Sequence, residues 1–210
     1  MRLLAYRRWQ TMSIATYDGL KAAIANWLNR TDLTAEIPDF IELAENRILH
    51  EIRTPTNEKT ILLSVNSEGY ATLPSDFLEA KDIFWNYNPL KRVSLTEIHS
   101  YQDQAGVPTC FARETYRLKF FPTSGTTSAN EARMIYYYDV GRLASDTQTN
   151  VMLTMAPEVY LYASLVEASN FLGSDGSRWE TGYRKAVAQI VKHTREAEVA
   201  GSTPQVNSGY

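Results

Sequence analysis

The stretch that decides the fold is PEVYLYASLVEASNFL, residues Pro157–Leu172, in which eleven of the sixteen positions are apolar and leave hardly any polar face on a helix. Pro157 suits the first turn of a helix, and Gly173 suits the position just after its end. A helix with almost no polar face is buried nearly all round. Ser164, Glu167 and Ser169 interrupt the run, which is too short to cross a membrane. The sequence therefore predicts a helix at the centre of a soluble helical bundle.

Three more helices are predicted around this one. The spacing of apolar residues indicates a helix over about Tyr17–Asn29, capped by Thr16, and a second over about Pro38–Arg53. Because the connection between them is short, these two helices should form an antiparallel hairpin. A final helix after Ser177 carries its apolar residues on one stripe, formed by Trp179, Tyr183, Ala186, Val187, Ile190 and Val191.

Between residues 58 and 140 the pattern changes to that of strands. Residues 60–65 and 70–73 flank the polar turn 66–69, which ends in Gly69, and this arrangement predicts a β-hairpin. A short helix is expected at 96–104 with Thr96 as its cap, and the polar segment 122–131 is expected to be a mobile loop. Further runs rich in Ile, Val, Phe and Tyr predict strands at 80–85, 90–95, 110–114, 117–121 and 132–139.

The expected fold class is α+β, with a helical bundle formed by both chain ends and an antiparallel β-sheet insert in the middle. One domain should span residues 16–199, with helices in 16–54 and 157–199 and the β insert at 58–140. Residues 1–15 are interpreted as an N-terminal extension, of which the eleven residues before Met12 are not expected to be native, since Met12 resembles a natural start. Residues 200–210 have no apolar pattern and are expected to be a flexible tail.

Composition excludes several classes of protein. The 210 residues include 21 basic and 24 acidic side chains, so the net charge of -3 argues against a protein that mainly grips nucleic acid. The single cysteine, Cys110, rules out an internal disulfide framework and a cysteine-based zinc site. The basic N-terminus lacks the apolar core of a secretory signal, so export and membrane attachment are not expected.

Residues for catalysis, metals or cofactors are not apparent in the sequence. His50, His99 and His193 lie far apart and lack the local pairing of metal ligands, and Cys110 is interpreted as a buried structural thiol. Phosphate-binding loops, a nucleophile elbow and the zinc-protease motif are all missing from the sequence. We therefore expect neither an enzyme nor a cofactor or metal site.

The run Tyr136-Tyr137-Tyr138 leaves two interpretations open. In a strand these rings would alternate between the two faces, where they could stack on bases. The other interpretation is a sheet covered on one face and exposed, or contacted by a neighbour, on the other. The low basic charge nearby favours the second.

Five segments carry a resemblance to a known family, and their order is Thr16–Arg30, Ile37–Ile48, Leu73–Glu79, Ile135–Tyr138 and Ala156–Ala168. Together they resemble the head-to-tail adaptor proteins of tailed bacteriophages, also called tail tubular protein A or head completion proteins. Each segment alone has a sequence pattern that is common in helices or strands. The resemblance therefore depends on the order of the whole set, which covers about Thr16–Ala197. Gly19 departs from it, because an acidic residue is expected there.

The resemblance implies a structural virion protein without catalytic activity. Twelve copies would form a ring in the neck under the portal protein, let double-stranded DNA pass through the channel without sequence-specific binding, and provide the platform for the tail tube or nozzle protein. Assembly would take place in the host cytoplasm. By the same resemblance, the tail is expected to dock on the portal through Pro204, Val206 and Tyr210, and the faces of the last helix around Trp179 and Tyr183 are the next docking candidates.

Two other functions stay open. Another ring of the neck, such as a stopper or a tail terminator, would also work through interface geometry alone. A prophage nucleic-acid-binding protein would use the tyrosine run and the basic residues Arg178, Arg184, Lys185, Lys192 and Arg195.

Overall fold

The computed structural model describes residues 14–54, 57–101, 104–124 and 131–199. These residues confirm a mixed α+β protein with six helices and two sheets. The helices are α1 (Tyr17–Leu28), α2 (Ile37–Glu51), α3 (Leu95–Ser100), α4 (Val151–Met155), α5 (Pro157–Phe171) and α6 (Ser177–Val199). The strands are β1 (Glu58–Ser64), β2 (Tyr70–Thr72), β3 (Phe77–Trp85), β4 (Asn88–Pro89), β5 (Lys91–Arg92), β6 (Cys110–Glu114), β7 (Arg117–Phe121) and β8 (Glu131–Tyr138).

The chain divides into two compact units. Among the described residues, the helical unit contains 14–54 and 140–199, and the β unit contains those between 57 and 139. Helix α5 lies at the centre of the helical unit, where it contacts α1, α2, α4 and α6. The prediction that α5 is buried nearly all round is confirmed, because nine of its residues are buried, among them Val159, Ala163 and Leu165 with no exposed surface.

Local capping determines where the helices begin and end. The Thr16 hydroxyl accepts a hydrogen bond of 3.3 Å from the Gly19 N–H, which confirms the predicted cap of α1. The prediction that Thr96 caps α3 is wrong: the Ser94 hydroxyl accepts from the Glu97 N–H at 3.1 Å, so the helix starts earlier. Helix α4 was not predicted, because five residues are too few to show a helical period.

The β unit consists of two four-stranded sheets around one apolar core. Their strand orders are β1-β8-β3-β4 and β2-β7-β6-β5. Trp85 of the first sheet and Phe120 of the second meet in this core with ring centroids 6.2 Å apart. The expected antiparallel pairing needs one correction, because β5 and β6 pair in parallel; the crossover through α3 returns the chain in the same direction.

The predicted hairpin at 60–73 is wrong in its pairing. The turn forms, since the Gly69 N–H donates to the Asn66 carbonyl at 2.9 Å, but β1 then pairs with β8 and β2 pairs with β7. The two strands therefore enter different sheets, β1 beside β8 in the first and β2 beside β7 in the second. The two sheets share one core, so each strand can bury its apolar side chains without pairing with the other. Most of the predicted loop 122–131 lies outside the described residues.

Candidate interaction surface

Helix α6 holds the two predicted docking residues that the structure describes. Trp179 is 8% exposed and Tyr183 is 1% exposed, because this side of α6 packs on the core around α5. In this conformation a partner would contact the residues around them rather than these two side chains. Pro204, Val206 and Tyr210 lie outside the described residues, so the five predicted residues are not seen together.

The Tyr183 side chain is tied to helix α2. Its hydroxyl donates to Glu51 Oε2 at 2.8 Å, and the Arg47 guanidinium lies 4.1 Å from the centre of its ring. Burial, followed by the hydrogen bond to Glu51, raises the pKa of Tyr183 above that of a free tyrosine. The ring therefore stays neutral and acts as a structural link between α2 and α6.

A second link between these helices is an ion pair. The Arg47 guanidinium donates to both carboxylate oxygens of Glu180, at 2.8 and 2.9 Å. This hydrogen-bonded pair lowers the pKa of Glu180 to about 2. Arg184 also donates to Glu180 Oε1 at 2.7 Å, so one carboxylate holds two cations at the start of α6.

An open groove of about 470 Å³ runs along α6 next to the end of α2. Its lining is apolar at Val187, Ala188 and Val191, and its rim carries charges of both signs. The rim residues are Glu51, Arg184, Lys192 and Glu196. This combination can accept apolar side chains of a partner and orient them with charges at the edge.

An aromatic cluster marks the N-terminal end of α6. Trp27 of α1 is 47% exposed, yet its ring lies 5.5 Å from Trp179 and 5.9 Å from Tyr162 of α5. Arg178 stacks on Trp179 at 3.8 Å. Trp27 lies in the last turn of α1, and this position is the feature of the sequence that indicates its exposure.

The β unit presents its own exposed apolar face on the first sheet. Leu62 of β1 is 54% exposed, and Arg133 of β8 pairs with it in register. Tyr87, which is 85% exposed, lies beside them with the Arg133 guanidinium 5.5 Å from its ring. These three residues line a shallow cavity of about 440 Å³.

The tyrosine run does not form a stacking platform on one face. Tyr136 is buried in the β core and donates its hydroxyl hydrogen bond to Asp76 at 3.0 Å, and burial raises its pKa to about 12. Tyr138 is partly buried, with the Lys59 ammonium 3.8 Å from its ring. Tyr136 and Tyr138 both pack against the β core, as residues two positions apart on one face of a strand do.

Cys110 is a buried thiol, as predicted, and burial raises its pKa. Within the described ranges, no three His, Cys, Asp or Glu side chains are arranged to hold a metal ion. None of the helices in the described part of the chain is long and apolar enough to cross a membrane.

Comparison with protein families gives a match over nearly the whole chain. The family model described as SU10 adaptor protein matches residues 15–207. No curated protein matches the chain.

Proposed function

The chain belongs to the SU10 adaptor protein family of phage head-to-tail adaptors, and from this premise we propose that it forms a ring in the virion neck between the portal and the tail. The observation that carries the proposal is the extent of the family match, residues 15–207 of 210. Residues 16–199 would act as one adaptor domain that comprises a helical bundle from both chain ends and the β insert. A ring of twelve copies would extend the DNA channel.

The exposed surfaces support a role in protein contacts rather than in catalysis. The groove along α6 combines an apolar floor with a charged rim, and the aromatic cluster presents a half-exposed tryptophan beside an arginine. Tryptophan and arginine are the residue types that contribute most to protein interfaces. The first sheet adds an exposed face around Leu62 and Tyr87.

Docking on the portal would start from the end of α6. The links from α2 to Glu180 and Tyr183 fix the first turns of this helix and so set the direction in which the chain leaves the bundle. We assign docking to the tail residues Pro204, Val206 and Tyr210, with the surface around Trp179 and Tyr183 beside them. Weak contacts of each copy would add up around the ring by multivalency.

The proposal is tested by reconstitution with the portal protein of the same phage. The purified chain alone should be a monomer or weak oligomer, and on portal rings it should form one ordered ring that electron microscopy places between portal and tail. DNA binding should be weak and depend little on salt between about 50 and 200 mM. A ring that binds only below another neck protein would identify a stopper or terminator instead, and absence of binding to any neck component would contradict the proposal.

A further inference from the structure

The helical unit carries two surfaces of opposite charge. The basic surface consists of Arg178, Lys185 and Lys192 on α6, together with Trp27 at the end of α1. The acidic surface consists of Asp18, Asp39, Glu42 and Asp146, with Lys21 and Arg142 among them. All four of these carboxylates and the three α6 cations of the basic surface are exposed.

The basic surface follows one face of a helix. Its three cations are seven residues apart, so they recur on the same side of α6 about every 10.5 Å. At its N-terminal end Arg178 stacks on Trp179, which in turn contacts the half-exposed Trp27. The surface thus has an aromatic anchor at one end and a line of three cations leading from it, the last of which, Lys192, lies 3.8 Å from the Glu196 carboxylate.

The acidic surface lies where α1 begins. The Asp18 N–H donates to the Asp146 carbonyl at 3.0 Å, and Lys21 donates to the Asp146 carboxylate at 2.6 Å. On α2, Glu42 accepts a hydrogen bond of 3.3 Å from Arg142. Two cations among four carboxylates leave this surface with a net negative charge.

Helix α1 separates the two surfaces. Its first residue, Tyr17, donates its N–H to the Gln148 carbonyl beside the acidic surface, and Trp27 at its other end belongs to the basic surface. With 12 residues, α1 is about 18 Å long. The two surfaces are therefore separate patches, one at each end of α1, and a head-to-tail contact between identical copies uses two different patches.

We propose that the basic surface of one copy docks on the acidic surface of the next copy around the ring. This inference rests on the proposed function, because it specifies which faces of the adaptor form the ring contact. A second copy is the occupant that the charges fit, since the same chain supplies both signs on two separate patches. The charges would select the register, and Trp27 would supply buried apolar area at the contact.

Charge reversal with rescue tests this pairing. The variant Lys185→Glu/Lys192→Glu and the variant Asp39→Lys/Glu42→Lys should each need at least about tenfold more protein to form rings on the portal, because like charges then face each other. A chain with all four changes should form rings with itself nearly as well as the parent, but should not mix with the parent in one ring. Raising salt to about 0.5 M should weaken parental rings and reduce the differences between variants.

The matched control is Lys91→Glu/Arg92→Glu, which makes the same change in charge at exposed positions of the β unit. It should assemble like the parent. The milder pairs Lys185→Gln/Lys192→Gln and Asp39→Asn/Glu42→Gln keep the test valid if a reversal variant fails to fold, and they should weaken assembly in the same direction.

The outcomes separate this inference from the proposed function. If the folded reversal variants form rings at the parental concentration, or if the fourfold variant is not rescued, the ring contact lies elsewhere and the inference is overturned while the adaptor role stands. If the parent forms no ring on any neck component, both are overturned.

Discussion

Arg47 and Glu180 are separated by 133 positions in the chain, and yet the guanidinium of one donates to both carboxylate oxygens of the other. The pair joins α2 to α6, and their side chains are 21% and 28% exposed. Geometry of this kind restricts both helices, because two parallel hydrogen bonds fix orientation as well as distance.

The first prediction concerns acid stability. Because the pKa of Glu180 is lowered from 4.5 to about 2, its ion pair contributes fully above about pH 4.5, and the contribution is lost as the pH falls toward 2. Glu180→Gln should lower the free energy of unfolding at pH 7 by about 2 kcal/mol and flatten the acid side of the stability profile. Urea unfolding between pH 2 and 7 measures both effects. Glu196→Gln, whose carboxylate lies 3.8 Å from Lys192 and is largely exposed, should change little.

The second prediction concerns the core. Leu165 has no exposed surface, so Leu165→Asp would bury a charge and cost several kcal/mol, enough to unfold a domain of ordinary stability. Met155→Asp at a 62% exposed position is the control and should melt near the parent. Cooperative melting of the Leu165→Asp protein near the parental temperature would show that the core lies elsewhere.

Two buried serines of α5 give a third prediction. The Ser164 hydroxyl is buried without a hydrogen-bond partner among the described residues, whereas the Ser169 hydroxyl donates to the Leu165 carbonyl at 2.8 Å. Removing an unpaired hydroxyl removes only its desolvation cost, so Ser164→Ala should leave stability unchanged or raise it by up to about 1 kcal/mol. Ser169→Ala should lower stability by a similar amount. Denaturant titration of both variants would contradict this reasoning if Ser164→Ala were the more destabilised.

The fourth prediction compares two glycines in the left-handed region. A Cβ at Gly69 would lie 2.8 Å from the Phe120 carbonyl oxygen, while one at Gly141 would have no heavy atom within 4 Å. Their φ angles are similar, +78° and +81°, so both Ala substitutions carry the same backbone strain of about 1 kcal/mol. Gly69→Ala should cost clearly more than Gly141→Ala in thermal unfolding. Equal losses would mean that the backbone near Phe120 moves freely.

The fifth prediction tests the tail. Deleting residues 201–210 should leave the melting temperature unchanged and weaken binding to the portal, because the contact is repeated around the ring and its loss is multiplied. Surface binding to immobilised portal rings measures the change. The deletion of residues 208–210 alone keeps Pro204 and Val206 and should give an intermediate loss. If the protein without residues 201–210 bound the portal with parental affinity, the tail would not be the docking segment, and docking would be assigned to the surface of α6.

The sequence by itself determined the elements that depend on local patterns. The apolar run of α5, the Thr16 cap and the amphipathic spacing of α1, α2 and α6 require no knowledge of distant residues, since helical hydrogen bonds close within four positions. The ordered segments from Thr16 to Ala168 also carried the family resemblance. The buried thiol of Cys110 followed from its place in an apolar strand.

Only the tertiary structure decided which distant residues meet. The local pattern around the turn at 66–69 predicts a hairpin, but β1 pairs with β8 and β2 pairs with β7. These partners lie far along the chain, so a local pattern does not indicate them. The ion pair between Arg47 and Glu180 likewise depends on tertiary packing. So does the exposure of the aromatic residues, since Trp27 is half exposed while Trp179 and Tyr183 are buried. Strand pairing, ion pairs across helices and side-chain exposure are properties of the packed chain, because each depends on burial that many separate segments create together.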